Sequence, residues 1–346
     1  MDSFDVIIVG SGAGGAPIAN RLARQGKSVL VLEKGPLFRP HYQVPGGRSD
    51  FRRDELYGSG AEKILRVPGV ENVGMSYYSS HVEPDINDEP HVYRGPGDKD
   101  FATIEGYTAQ VVGGGTQLYG GVSLRFTRTD LRLKSFNESR QSPIKEDRKG
   151  DVLREARDWP FDYETLEPYY ALAEDLVGIC GTKDNQKKAF TSGNRYQPPL
   201  EPNPISEYAR DGMVELGRRL GSNIKPYRAP LAVITRDHAP SGRKIPRDAN
   251  NQADPEAAKT SYVNRYGDPL GLKSNTWVSL LSPVSDQPGF RLWPNCVVTH
   301  LSSENHCVTW VHFLDPGGTE RSVSGKIVVV ACSAIESVRL LKLSAA

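Results

Sequence analysis

Apolar positions cluster at the two ends of the chain, and the middle is mostly polar. Asp5-Val-Ile-Ile-Val9 is a short β-branched run that stops at glycine, the pattern of a strand buried on both faces. Gly14 to Gln25 has helical spacing, with Ile18, Ala19 and Leu22 on one face and Gly26 to stop it. Ser28-Val-Leu-Val-Leu-Glu33 reads as a second buried strand, so the chain opens with a β-α-β unit. Ala109-Gln-Val-Val112 is strand-like and runs into Gly113-Gly-Gly115. Tyr163 to Val177 has helical periodicity with acidic residues on its outer face. Strands are expected at Phe290–Trp293, Val297–Leu301 and Cys307–Leu314, the last leading to the turn Asp315-Pro-Gly-Gly318. Lys326-Ile-Val-Val-Val-Ala331 reads as another buried strand of parallel type, followed by a helix over Ile335–Leu343.

Between these segments the pattern fades. Residues 36–100 are rich in Pro, Gly, Tyr and Asp and read as long loops with short elements. Residues 128–158 alternate charge signs and read as a solvated excursion, and 236–260 as a polar surface loop or insertion. No internal repeat is visible. A length of 346 residues allows about two domains. The 34 glycines and 25 prolines fit a loop-rich folded protein and stop short of disorder. A net charge of +1 gives no reason to expect nucleic acid or an anionic membrane surface as a partner. No stretch nears the roughly 20 apolar residues of a membrane span, and no signal peptide is seen, so the reading is a soluble, cytoplasmic protein without a membrane segment. Cys180, Cys296, Cys307 and Cys332 form no C-x-x-C pair; four free, buried thiols are expected, and no metal site.

Candidate chemistry begins after the first strand. Gly10-Ser11-Gly12-Ala13-Gly14-Gly15 is a G-x-G-x-x-G. Gly10 lets the chain turn off the strand, Gly12 lets backbone approach a pyrophosphate, and Gly15 lets helix and strand pack closely. The phosphates then meet a helix N-terminus, where unpaired N–H groups and the helix dipole favour anions. Glu33, at the end of the second strand, can accept from a ribose diol and disfavours a 2′-phosphate. Strand, helix and acid together satisfy the context of a dinucleotide fingerprint. The fingerprint alone leaves NAD and FAD open.

Three further stretches resemble the glucose–methanol–choline (GMC) family of flavin oxidoreductases, most of all flavoprotein subunits of sugar and polyol dehydrogenases of the glucose, gluconate and fructose type. Val112-Gly-Gly-Gly-Thr-Gln-Leu-Tyr-Gly-Gly-Val-Ser-Leu-Arg-Phe126 is similar to the family's second flavin segment. Gly114 and Gly115 permit close backbone approach there, and Thr116 offers a hydroxyl. Asp158-Trp-Pro-Phe-Asp-Tyr-Glu-Thr-Leu-Glu-Pro-Tyr-Tyr170 resembles a structural turn and helix, and Ile327–Leu341 the strand, turn and helix that close the FAD domain. The resemblance implies FAD as the cofactor, with Lys34, Tyr119, Gly120, Val297, Ala331 and Cys332 joining the residues above in binding it.

The fold it implies is α/β: a discontinuous, three-layer, Rossmann-like FAD-binding domain of the glutathione-reductase type, with part of an α+β substrate domain. The expected division is 1–130 and 289–346 for the FAD domain and 131–288 for the partial substrate domain. Departures carry information. Tyr119 stands where pyranose-oxidase relatives have the histidine that links to flavin, which implies non-covalent FAD. Asp268 replaces a family cysteine in Gly267-Asp-Pro-Leu-Gly-Leu-Lys273, which removes an iron–sulfur centre. Ser333 replaces the usual glycine of the final turn. In the family the catalytic histidine and its partner follow the position of Ala346, so a C-terminal truncation is expected and no catalytic residue is assigned. His41, His81, His91, His238, His300, His306 and His312 show no ligand-like or triad-like spacing.

The expected function is FAD-dependent oxidation of a CH–OH group of a sugar or polyol, with hydride passing to flavin N5. Electrons would pass to an acceptor other than a pyridine nucleotide, such as a cytochrome or a small subunit. The alternatives are an FAD-binding but catalytically incompetent fragment and an NAD-dependent dehydrogenase.

Overall fold

The computed structural model describes residues 3–50, 91–103, 109–139, 155–184, 186–254 and 268–345, with three short strand segments between 62 and 78; for 62–78, 91–93, 96 and 101–103 only the backbone is considered. In chain order the strands are β1 (Ser3–Val9), β2 (Val29–Leu32), β3 (Glu62–Ile64), β4 (Glu71–Asn72), β5 (Ser76–Tyr78), β6 (His91–Arg94), β7 (Asp100–Thr103), β8 (Phe290–Trp293), β9 (Val297–Glu304), β10 (Cys307–Leu314) and β11 (Glu320–Val330). The helices are α1 (Gly15–Arg24), α2 (Gly115–Leu118), α3 (Leu133–Glu138), α4 (Tyr163–Val177), α5 (Pro204–Arg219) and α6 (Ala334–Ser344).

The chain forms two compact units, Met1–Gly121 with Asp237–Ala346, and Val122–Arg236. The first is organised by a six-stranded sheet of order β8-β2-β1-β11-β10-β9. β8, β2, β1 and β11 run parallel, and β10 and β9 extend the sheet antiparallel. Val6 of β1 sits between Val29 of β2 and Ile327 of β11, so strands from the two ends of the sequence lie side by side. Alternation along β1 serves two layers. Ile7 and Val9 join a core with Leu30, Leu32, Val311, Phe313 and, from α6, Leu340. Ile8 turns the other way, towards α1, where a Cβ added at Gly15 would lie 2.9 Å from its Cγ2.

Small residues make that α1 contact. Gly15, Ala16, Ala19, Asn20 and Ala23 are buried, while Ile18, expected on the packed face, is exposed. The Asn20 amide donates to Leu280 O at 2.6 Å, tying α1 to a π-helical turn at Trp277–Leu281. Gly26, at φ +75°, ends the helix turn as expected. Smaller sheets pair β3 with β5 and order β4-β7-β6 within the loop-rich stretch.

The second unit contains α3, α4 and α5. Asp162 caps α4 by accepting from Thr165 N, and Gly178 in the left-handed conformation ends it. Its acidic residues are not all outside: Glu167 and Glu174 are buried because Arg125 lies between them. Arg125 Nε and Nη2 donate to Glu174 at 2.6 and 2.7 Å, and Nη1 donates to Glu167 at 2.9 Å. Burial works against this guanidinium, but Glu174, Tyr163 and Glu167 hold it protonated. Burial would likewise raise Glu167, yet Ser192, Thr191 and Arg125 bring it down to about 2. Trp159 and Tyr169 of the family-like stretch are largely exposed.

Other expectations need correction. Residues 109–112 form no strand; Val111 and Val112 are buried in a turn closed by Gly114 N–H donating to Val111 O at 2.7 Å. The stretch from 236 is not a surface loop throughout, since His238, Arg243 and Ile245 are buried; 255–260 and Gly267 lie outside the described residues, as do 140–154 of the charged excursion. β11 is longer than expected and not buried along its length, Ile327 being 59 % exposed. The four cysteines are free, but Cys307 is exposed and Cys332 half-buried. Among the described residues no helix is long and apolar enough to cross a membrane.

Candidate functional site

The glycine loop after β1 is shaped by close approaches. Gly10, at φ +102°, donates to Leu32 O at 2.9 Å, and a Cβ there would lie 2.5 Å from Ala331 O. A Cβ at Gly15 would lie 2.0 Å from Gly10 O. Gly12 stays open on the side where the second glycine turn approaches: a Cβ on Gly12 would come only within 3.8 Å of Gly114 Cα. Gly113 and Gly114 take positive φ values of +101° and +53°, so the two turns face each other through bare backbone. The Gly113 N–H donates to Ser11 Oγ at 2.9 Å, and Thr276 Oγ1 donates to Ser11 O at 2.8 Å.

Glu33 ends β2 beside this loop. Its Oε2 accepts from Ser11 N at 3.0 Å and from Ser11 Oγ at 2.5 Å, and its Oε1 accepts from Gly35 N at 3.0 Å. Burial pushes the carboxyl up, against the bonds from Gly35 and Ser11. The acid therefore first braces the loop.

The far wall comes from the end of the chain. Ala331 N donates to Val9 O at 2.9 Å, which carries β11 pairing up to the glycine loop. Ser333 then adopts φ +76° and ψ 169°, a region open to glycine and costly for other residues. From the first turns of α6, Glu336 and Arg339 form an ion pair at 2.8 Å beside Lys34. Burial lowers the Lys34 ammonium, while Glu336 supports its charge.

These segments line a cavity of about 600 Å³. Of the residues expected to hold the cofactor, Gly10, Ser11, Gly12, Ala13, Gly14, Glu33, Lys34, Gly114, Gly115, Thr116, Tyr119, Val297, Ala331 and Cys332 line it. Gly15 and Gly120 do not; Gly15 acts one step back, in the contact of α1 with the loop. The Thr116 hydroxyl donates to Gly113 O at 2.6 Å and accepts from Thr276 N at 3.0 Å. Sequence reasoning missed Gln110, Cys296, Ser333, Glu336, Ser337 and Arg339 in the lining. The three- and four-residue spacing on the expected helix after Ala331 was the available signal for Glu336 and Arg339.

Behind Tyr119 lies a buried polar cluster. Tyr119 OH donates to Ser274 O at 2.7 Å, and the fully buried Lys273 donates from Nζ to Gln117 O at 2.7 Å and Tyr119 O at 3.1 Å. Burial pushes Lys273 down to about 8, against the nearby charge of Asp268. Asp268 accepts from the backbone of Leu270, Leu272 and Lys273 at 2.9, 2.6 and 2.7 Å, so the residue that stands for a family cysteine shapes a turn. Arg243, brought down to about 10 by burial, donates to Gly271 O at 3.2 Å. Among the described residues no histidine lines the cavity.

The arrangement fits FAD. Two glycine turns leave a backbone cradle that a Cβ would fill, α1 points its N-terminus into it, and a carboxylate and a strand edge flank it. Fold and site define an FAD-binding domain. Residues 5–60 match the family model described as an FAD binding domain. Over almost its whole length the chain is similar to curated oxidases and dehydrogenases. It is 27 % identical to 6'''-hydroxyparomomycin C oxidase of Streptomyces lividus, covering 98 % of this chain and 50 % of that protein. It is 27 % identical to 2-methyl-1,2-propanediol dehydrogenase of Mycolicibacterium austroafricanum, covering 99 % and 51 %. It is 26 % identical to the fructose dehydrogenase large subunit of Gluconobacter japonicus, covering 99 % and 54 %. In fold it matches formate oxidase of Aspergillus oryzae with a TM-score of 0.52 at 14 % identity, covering 99 % of this chain and 48 % of that one. The chain spans about half the length of the curated relatives it matches.

Proposed function

We propose that this chain is the FAD-carrying part of an oxidoreductase acting on a CH–OH group of a sugar or polyol. The observation that carries the reading is one cavity walled by three segments: the loop after β1, the glycine turn at 113–115, and the turn after β11 with the start of α6. When bound there, FAD supplies a hydride acceptor at flavin N5. The chain's own groups bind and orient it. The loop N–H groups and α1 would hold the pyrophosphate, Glu33 the ribose side and the Val297 strand backbone the adenine. Tyr119 offers no imidazole nucleophile, which supports non-covalent attachment. Relatives named as a large subunit and as a flavoprotein support a separate electron-accepting subunit or cytochrome as partner.

A second reading is FAD binding without turnover by this chain alone, favoured by the lack of a histidine in the described cavity lining. Purified protein separates the readings. Yellow protein that releases intact FAD on acid precipitation supports non-covalent FAD, and release of NAD in its place would overturn the cofactor reading. Anaerobic bleaching by a panel of sugars and polyols supports the oxidoreductase. A flavin that dithionite reduces but no alcohol bleaches supports the second reading.

A further inference from the structure

The antiparallel end of the large sheet brings together three residues from successive strands. His300 of β9 and His312 of β10 are register partners, and their rings stack with centroids 4.1 Å apart and planes 5° apart. On β11, Ser322 is the register partner of His312. Side chains two apart on a strand share a face, so Glu320 lies on the same side as Ser322, diagonal to His312 and within reach of a long side chain. One ligating atom from each of His300, His312 and Glu320 lies within 4.8 Å of the other two. None of the three lines the flavin cavity.

We propose that His300, His312 and Glu320 form a site for a divalent transition-metal ion of the zinc class, linking β9, β10 and β11. Two imidazoles and a carboxylate are a borderline-soft donor set that suits zinc, nickel or copper; magnesium and calcium prefer all-oxygen shells. A tetrahedral ion with ligands at about 2.05 Å needs donor atoms roughly 3.3 Å apart and aimed within each ring plane, so binding turns the two imidazoles out of their parallel stack and draws the donors together. The supporting shell is present. The two ring nitrogens of His312 lie 2.7 Å from Ser302 Oγ and 2.8 Å from Ser322 Oγ, so an ion displaces one hydroxyl and the other keeps the ring oriented. Thr299 Oγ1 lies 3.1 Å from His300 Nδ1 and serves the same purpose there. Both histidines are half-buried and Glu320 is exposed, which leaves a path for the ion and a fourth position for water. Three strands joined at one point make the ion a clip for the sheet's free end.

The test uses the full chain with its flavin, stripped of metal by chelator. Zinc chloride is titrated in competition with a chromophoric chelator, and thermal melts are recorded with and without zinc. The expected result is one zinc per chain and a higher melting temperature with zinc. H300A, H312A and E320Q should each bind about tenfold or more weakly, as loss of a ligand or its support does, and Cys307→Ser should bind as the parent does. Zinc affinity unchanged in the three variants, magnesium bound as tightly as zinc, or no zinc bound would each overturn the proposal. Cobalt added to the unmutated chain decides the matter should a variant fail to fold. Visible bands without a near-ultraviolet thiolate band support the site, and a thiolate band overturns it.

Discussion

Glu33 Oε2 accepts two hydrogen bonds from one residue, the backbone N–H and the hydroxyl of Ser11, so the acid that ends β2 fixes the middle of the glycine loop. Glu33→Ala removes the acceptor and leaves the buried donors of Ser11 and Gly35 unpaired, each costing about 1–3 kcal/mol. FAD affinity is expected to fall at least about tenfold for each ~1.4 kcal/mol that reaches the bound state. A fluorescence titration of FAD checks this; Ser11→Ala, which keeps the N–H bond, should lose less.

Gly15→Ala tests the packing of α1 on the loop. The new Cβ would meet Gly10 O at 2.0 Å, a backbone atom that cannot yield without moving the phosphate turn. Overpacking of this kind costs about 1–3 kcal/mol or more. The variant should melt lower and purify without colour, and wild-type melting with retained flavin would refute the packing argument.

Ser333→Gly should stabilise the protein. At φ +76° and ψ 169° serine carries strain of about 1–3 kcal/mol, while glycine adds roughly 0.5–1 kcal/mol of unfolded-state entropy. The net gain of about 1 kcal/mol is readable as a shift in the urea midpoint.

Lys273 predicts a pH dependence. Its folded-state value is about 8 against an ordinary 10.5, so between those values the unfolded chain holds a proton that the folded chain has released. Its contribution to stability therefore rises with pH across that window, by up to ~1.4 kcal/mol per pH unit. Urea midpoints at pH 7.5 and 9.5, compared between the parent and Lys273→Met, should show this increment only in the parent.

Arg125→Met leaves Glu167 and Glu174 buried together without their cation and should destabilise by about 3–5 kcal/mol. Glu167, held at about 2 against 4.5, contributes stability above pH 4.5 that is lost as pH falls towards 2. In Arg125→Met that depression is weakened and protonation relieves the unpaired carboxylates, so the destabilisation should be larger at pH 7 than near pH 4, as urea midpoints at the two values would show.

The β-α-β unit and the closing strands were legible because unbroken apolar runs bounded by glycine have few other uses. The glycine loop was legible because each glycine answers a close approach that no other residue allows. Val111 and Val112 misled for a related reason: their burial comes from a tight glycine turn, and burial alone does not distinguish that from a strand. The helix Pro204–Arg219 went unread since its apolar residues do not form a buried stripe, Ile205 and Tyr208 being 81 % and 83 % exposed; the cap Asn203 followed by Pro204 was the signal to use. Glu167 and Glu174 looked solvated on a helical wheel, because their partner Arg125 is more than forty positions away. Pairings made only by the fold, such as His300 with His312, follow strand register and leave no trace in local spacing.

The neighbourship of Val6 and Ile327 also sets an order of events during synthesis. At about 5–20 residues per second the ribosome needs roughly 15–60 s between these two positions. For that interval one edge of β1 has no strand beside it, and the cavity has no third wall. Nascent chains are therefore expected to need shielding of that edge, and to capture the cofactor as a late step of their maturation.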